Sequence, residues 1–347
     1  MFGRFLVLSL IVLVLAVGAL SGCGVLRTDT EKFDQTYTVT AGTKIDISNT
    51  DGDISVTAWD IVDSIEVSAT KSTSWGTAEL EQVEIHVDVD TPGTTKIETK
   101  VQKNARVSVS YAIRVPRNSV LDTVTTAAGK ISLDGVSGED VTITTSDGGI
   151  YVKGGSGKIT ATSSNGKIEL DGTSGEATLV TSNGDILVTN KKVGNITAAT
   201  SNGRIEIKDS KGDVTLDSSN GAIYVDNLDG YVLRAKTSNG AIDITRTTGI
   251  IVAETSNYDV TAEISHVRDA GTIIKTSRGS IKLYLSATLS ASIEMKTSSG
   301  EISIHPTTIN ISQSDSNYLK GTLGTGGSSI YVETTNGNID VYKLETT

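Results

Sequence analysis

Cysteine is nearly absent from this chain: Cys23 is the single one in 347 residues. That excludes a disulfide within the chain and a cysteine-built metal site, and leaves the one thiol to be explained by its position. Proline is scarce too, with 3 residues against 35 glycines, so turns must rest on glycine. Aromatics make up 4% of the chain, too few to fill a large aromatic core. The histidines, His86, His266 and His305, stand far apart without metal-ligand spacing. No basic block offsets the net charge of −11, which argues against nucleic acid as a partner and reads as a solvated surface. Helical periodicity is missing from the body of the chain.

What is there begins with a leader. Arg4 supplies a positive start, and Phe5 to Leu20 is apolar apart from Ser9 and Gly18. Leu20-Ser21-Gly22-Cys23 follows, the small-residue-then-cysteine pattern of a lipoprotein cleavage site. We expect residues 1–22 to be a signal peptide, Cys23 to carry a diacylglycerol thioether, and 23–32 to be a tether. The protein would then be exported and held at a membrane, its first partner, on the extracytoplasmic side. The alternative is an uncleaved anchor helix, since the apolar run approaches spanning length. The place of the lone cysteine favours lipidation.

A repeat dominates the rest. Asp147-Gly148, Asn165-Gly166, Asn183-Gly184, Asn202-Gly203, Asn220-Gly221 and Asn239-Gly240 recur every 18 or 19 residues, each pair preceded by two hydroxyl residues. Gly138, Gly157, Gly175, Gly194, Gly212, Gly230 and Gly249 interleave as a second series, so each unit holds two turns and two short strands. Counting from each motif glycine, positions −7, −5, +2 and +4 are apolar: Ile196, Ala198, Ile205 and Ile207 around Gly203, and Ile45, Ile47, Ile54 and Val56 around Gly52. Residues between them are polar, the period-two mark of half-buried strands. Such a register at constant spacing predicts an all-β, parallel β-solenoid in which each unit is one coil and equivalent strands stack. An antiparallel meander is the rival, because hairpins also use Asn-Gly turns. The solenoid places Asn165, Asn183, Asn202, Asn220 and Asn239 in an amide ladder, and Thr145, Ser163, Thr181, Thr200, Ser218 and Thr237 in a hydroxyl column. The glycines after the ladder asparagines, Gly166, Gly184, Gly203, Gly221 and Gly240, are expected at left-handed corners or at points closed to a Cβ.

The ends depart from the period. Residues 33–118 read as an antiparallel β cap with the first strands, including the alternating runs Val83 to Val89 and Arg106 to Ile113, with Pro116 at the exit. Residues 119–347 read as the solenoid, with a glycine-rich capping loop at 305–329 before a final coil from Ile330 to Val341. Ala112-Ile113-Arg114-Val115-Pro116, leading to Leu121 and serial Gly-x-Ile turns, resembles the family of bacterial and archaeal candidate adhesins with β-strand repeats, a domain of unknown function. The resemblance implies a parallel coil and an envelope location, with no catalytic residues. Its members include lipoproteins, some beside envelope-stress genes, so a regulatory lipoprotein is one alternative role.

Chemistry is sparse. A carbohydrate-active β-helix enzyme, the other alternative, would need clustered acids on one face, and Glu169, Asp185 and Glu206, with Asp243 further on, are the candidates, Glu169 and Glu206 foremost. Lys167, Asp185 and Arg204 alternate in sign along a neighbouring column and are read as links between coils. Aspartates at +1, Asp53, Asp185 and Asp259, are too sporadic for a calcium cage. Tyr151, Leu187 and Tyr224 share an outward column with Glu169 and Glu206, and Tyr258 replaces a motif glycine where it would project outward. These four are the candidate contacts for an envelope polymer or another surface protein. The reading is a non-enzymatic, lipid-anchored scaffold or adhesin-like binding protein without cofactor or metal.

Overall fold

A computed structural model describes residues 28–345 except 62, 103, 191, 193, 269 and 306–308. Cys23 and the expected leader lie outside the described residues. Among those described, the structure is strands joined by turns, with one 3-10 segment at Thr77–Gln82. Each repeat supplies two strands, such as Ile196–Thr200 and Ile205–Lys211 around Gly203. The first strand of each unit enters a 16-stranded sheet and the second a 15-stranded sheet, here called the second and first sheets respectively. Pairing through the repeats is parallel and in register, so Ile168, Ile186, Ile205, Ile223 and Ile242 lie side by side. The parallel solenoid is what forms, and the meander is not.

Alternation decides what lies between the sheets. Ile205 and Ile207 are fully buried while Glu206 between them points outward, and the pattern repeats coil after coil. The core also compensates within each coil. Where position −5 is Leu179 or Leu216, position −7 is the smaller Ala177 or Val214. Where −5 is Ala161, Ala198 or Ala235, −7 is Ile159, Ile196 or Leu233, so the cross-section keeps a similar volume.

The motif glycines meet the second of their two expectations, closure to a Cβ. Gly203 does not sit at positive φ. Its side-chain position is closed instead by the neighbouring coil, since a Cβ there would stand 1.9 Å from the Gly184 carbonyl oxygen. The interleaved Gly157, Gly175, Gly194, Gly212 and Gly249 are at positive φ, and a further left-handed corner falls six residues beyond the motif glycine. Gly135, Gly154, Gly172, Asn190, Asp209, Asn227 and Arg246 occupy it in successive coils, with φ from 47° at Asp209 to 69° at Gly135. Glycine, asparagine and aspartate are the residues that tolerate this conformation best.

Side chains tie the corners together. The Gly203 N–H donates to Thr200 Oγ1 at 3.1 Å, and that hydroxyl donates to the Gly184 carbonyl at 3.1 Å. Thr145, Ser163, Thr181 and Ser218 repeat the arrangement. The expected hydroxyl column is therefore buried, but it bridges backbone to backbone, because equivalent atoms on neighbouring strands stand too far apart to bond directly. The amide ladder does form. Asn183, Asn202, Asn220, Asn239 and Asn257 each donate from Nδ2 to Oδ1 of the asparagine one coil before, at 2.6–2.8 Å. Asn165 donates to Asp147, and Arg278 donates to Asn257, so an anion accepts at one end and a cation donates at the other. Aligned amide dipoles are thus closed by charges of matching sign.

Both ends of the solenoid are threaded out of sequence order. The coil Lys44–Ser48 and Ile54–Trp59 lies between the Val120–Thr125/Ile131–Asp134 coil and an outer one made of Thr94–Val101 and Ser108–Pro116. Antiparallel strands Ser64–Thr73, Asp29–Thr38 and Val83–Asp88 cover that outer coil. At the other end, Ser329–Thr334 and Ile339–Lys343 are not the last coil in space. They insert between Thr272–Lys275/Ile281–Leu285 and Ala291–Thr297/Ile302–Ile304. The stretch expected as a capping loop holds an antiparallel hairpin, Ile309–Asp315 and Tyr318–Leu323, which extends the second sheet. The period shows that these coils exist; long-range strand pairing sets their stacking order.

Candidate binding surface

The outer face of the first sheet carries a column in which Tyr151, Glu169, Leu187, Glu206, Tyr224 and Asp243 are successive cross-strand neighbours. Strand spacing puts Tyr151 and Tyr224 roughly 19 Å apart along it. Both rings have cations nearby: the Lys130 ammonium is 5.6 Å from the Tyr151 centroid and the Arg204 guanidinium 5.9 Å from that of Tyr224. The structure therefore brings Tyr151, Leu187 and Tyr224 onto one face. Tyr258 stands apart at a corner, 53% exposed, and its carbonyl still accepts the hydroxyl of Thr276 at 2.8 Å.

The acids on this face are already engaged. Lys167 bonds Glu169 at 2.6 Å, and Glu206 is clasped by Arg204 at 3.2 Å and by Lys208. The links expected between coils are thus pairs within one strand, two residues apart, where long cations reach an acid on their own face. Asp185 serves differently, accepting the Arg204 backbone N–H at 2.7 Å. Asp53 accepts from Lys130 and Asp259 from Ser280 in the same manner, which gives these +1 aspartates a structural role at the corner. Among the described residues no group of three or more His, Cys, Asp or Glu is placed to hold a metal ion.

Asp243 is the exception among the acids. One of its carboxylate oxygens is buried without a hydrogen-bond partner, and burial, with Glu263 and Asp226 adding repulsion, raises its pKa. Its neighbours are occupied: Asp226 is held by Arg246 and Thr245, the Arg246 bonds lowering its pKa, and Glu263 accepts the Arg246 backbone N–H.

Two aromatic features escaped the sequence reading. Tyr284, Tyr342 and His305 stack in series at 5.2 and 4.3 Å between ring centroids. All three stand five residues after a motif glycine, so the register could have located them once the insertion of the last coil was known. Trp75, 66% exposed, lies in the non-periodic end, where no repeat marks its place.

Two overlapping segments, residues 78–213 and 194–342, match the family model described as Toastrack DUF4097. The chain belongs to this family. That agrees with the resemblance carried by Ala112 to Pro116 and the serial Gly-x-Ile turns. No curated protein matches the chain. Among solved structures, one of a candidate cell adhesion protein from Clostridium sporogenes ATCC 15579 is similar at 10% identity and a TM-score of 0.17, over 90% of this chain and 100% of the other. A second, of a candidate adhesin from Bacteroides fragilis NCTC 9343, is similar at 13% identity and a TM-score of 0.30, over 90% and 97%. Scores this low carry no functional argument.

Proposed function

We propose that this Toastrack protein is a binding scaffold displayed outside the cell on a lipid at Cys23, and that it performs no chemistry on what it binds. The observation that supports this most is the outer face of the first sheet. It is held in register by core, corner and ladder, it presents Tyr151, Leu187 and Tyr224, and it neutralises Glu169 and Glu206, the acids an enzyme would use. Among the described residues Asp243 is the one carboxyl on this face with a raised pKa, and the carboxylates nearest it, Asp226 and Glu263, are both engaged by Arg246. An envelope polymer or a surface protein suits a long, flat, mixed aromatic and polar face.

Display is tested with Cys23→Ala in cells. The wild-type chain should incorporate labelled fatty acid and sediment with membranes, and the variant should do neither. Equal membrane partition and processing of both chains would contradict the anchor. Binding is tested by probing arrays of envelope glycans, peptidoglycan and surface proteins with the purified chain; retention of none would contradict the scaffold.

A further inference from the structure

A groove of about 590 Å³ lies at the N-terminal end of the solenoid, lined among others by Thr50, Asp51, Ser72, Trp75, Arg106 and Ser108. Trp75 is the most exposed large apolar side chain of the described residues, at 66%, in a chain with only 2 tryptophans. A lone exposed side chain is ordinary, but an indole set in a groove among charged and hydroxyl groups is a ready platform. The ring is not loose. The Arg106 guanidinium sits 4.1 Å from its centroid and covers one face. The Trp75 backbone N–H donates to Thr73 Oγ1 at 3.2 Å, which fixes the main chain under the ring, and that hydroxyl donates to the Arg106 carbonyl at 2.7 Å. The Arg106 N–H in turn donates to Glu79 Oε2 at 2.9 Å. Both walls of the groove are therefore fixed before anything binds, with one face of the indole open.

The rim narrows the ligand class. Asp51 and Arg106 bring one charge of each sign, and Thr50, Ser72 and Ser108 bring hydroxyls. Among the described residues the Asp51 carboxylate has no hydrogen-bond or ion-pair partner. An anionic ligand would meet Asp51, and a cationic one would meet Arg106. A ring with an apolar C–H face and a hydroxyl edge satisfies the platform, the carboxylate and the hydroxyls together. We propose that this groove binds a pyranose unit of a neutral glycan, its C–H face on the open face of Trp75 and its hydroxyls on Asp51 and the serine and threonine rim. This deepens the binding role proposed above by naming a ligand class, and it rests on that reading.

The test titrates the purified full chain with maltohexaose, cellohexaose and chitohexaose up to about 10 mM, the range of weak single-site binding. At least one should shift tryptophan emission to the blue and shield it from acrylamide quenching. By calorimetry with that sugar, Trp75→Ala should lose detectable heat, while Trp75→Phe binds more weakly than wild type but measurably. Asp51→Asn should weaken affinity by about tenfold, a loss of one charged hydrogen bond. Thermal melting of each variant separates lost binding from lost fold, and Trp75→Phe with Asp51→Asn carries the test if Trp75→Ala melts early. Silence with all three sugars overturns the proposal. So does a sugar that binds wild type and the Trp75 variants equally, which would leave the wider binding role standing on another surface.

Discussion

At the scale of single residues, glycine does different work at two places in the coil. Gly203 is demanded by space, because the carbonyl of Gly184 fills the place of its Cβ. Gly172 is demanded by backbone, with φ at 67° and its nearest other atom 4.0 Å from a Cβ, the Gly154 nitrogen. Gly172→Asn should then be nearly neutral, as the asparagines at 190 and 227 already show at equivalent corners. Gly203→Asn should cost on the order of 3 kcal/mol, the scale of overpacking a closed site. Denaturant midpoints of the two variants compare them, and equal losses would contradict the distinction. Tyr111 makes a second residue-scale case. Its hydroxyl meets Thr99 Oγ1 at 2.7 Å, and Thr99 donates to Asn49 Oδ1 at 2.8 Å, a buried chain joining the outer coil to the one stacked on it. Burial pushes the Tyr111 phenol up to about 12. Folding therefore favours the neutral phenol, and its contribution is full below pH 10 and lost as pH rises through about 12. The shift corresponds to about 2–3 kcal/mol. Unfolding measured from pH 9 to 12 should show that loss, and Tyr111→Phe should flatten it in part, with Tyr37 and Tyr331, also raised, retaining a slope.

At the scale of elements, strands and their inward faces were legible because alternation and period are local. Ile45, Ile47, Ile54 and Val56 announced a coil around Gly52 as clearly as Ile205 and Ile207 did around Gly203. Stacking order was not legible, since Ile330 to Val341 reads the same whether it ends the rod or is wedged inside it. The left-handed corner was missed because Gly172, Asn190, Asp209 and Arg246 share a position but not a residue type. The insertion has a consequence at this scale. Ending the chain at Ser328 removes the coil that pairs Thr272–Lys275 and Ile281–Leu285 on one side with Ala291–Thr297 and Ile302–Ile304 on the other. In a stacked repeat, stability is set by nearest neighbours, so unfolding should start there and stay local. Hydrogen exchange should show protection lost from residue 272 onward and kept through residues 140–245; uniform loss along the chain would contradict nearest-neighbour stacking.

At the scale of the molecule, sheets of 15 and 16 strands give an edge-to-edge span of roughly 70 Å. At the C-terminal end the edges are guarded as solenoid edges must be. Ile302–Ile304 is only 3 residues long, and the outermost strand Ile309–Asp315 breaks register between Ile311 and Gln313. Of the surface, the column of Tyr151, Leu187 and Tyr224 could be foreseen from the period, whereas Trp75 and its groove could not, because the threaded end brings Thr50, Ser72 and Arg106 together from unrelated parts of the sequence. The central claim is binding without chemistry, and one measurement meets it most directly. The purified chain is incubated with the polymer it retains best, and both the bound fraction and the polymer's size distribution are followed over a day. The account predicts saturable retention with the size distribution unchanged, in wild type and in Asp243→Asn alike. Progressive shortening of the polymer by the wild-type chain, abolished in Asp243→Asn, would contradict it.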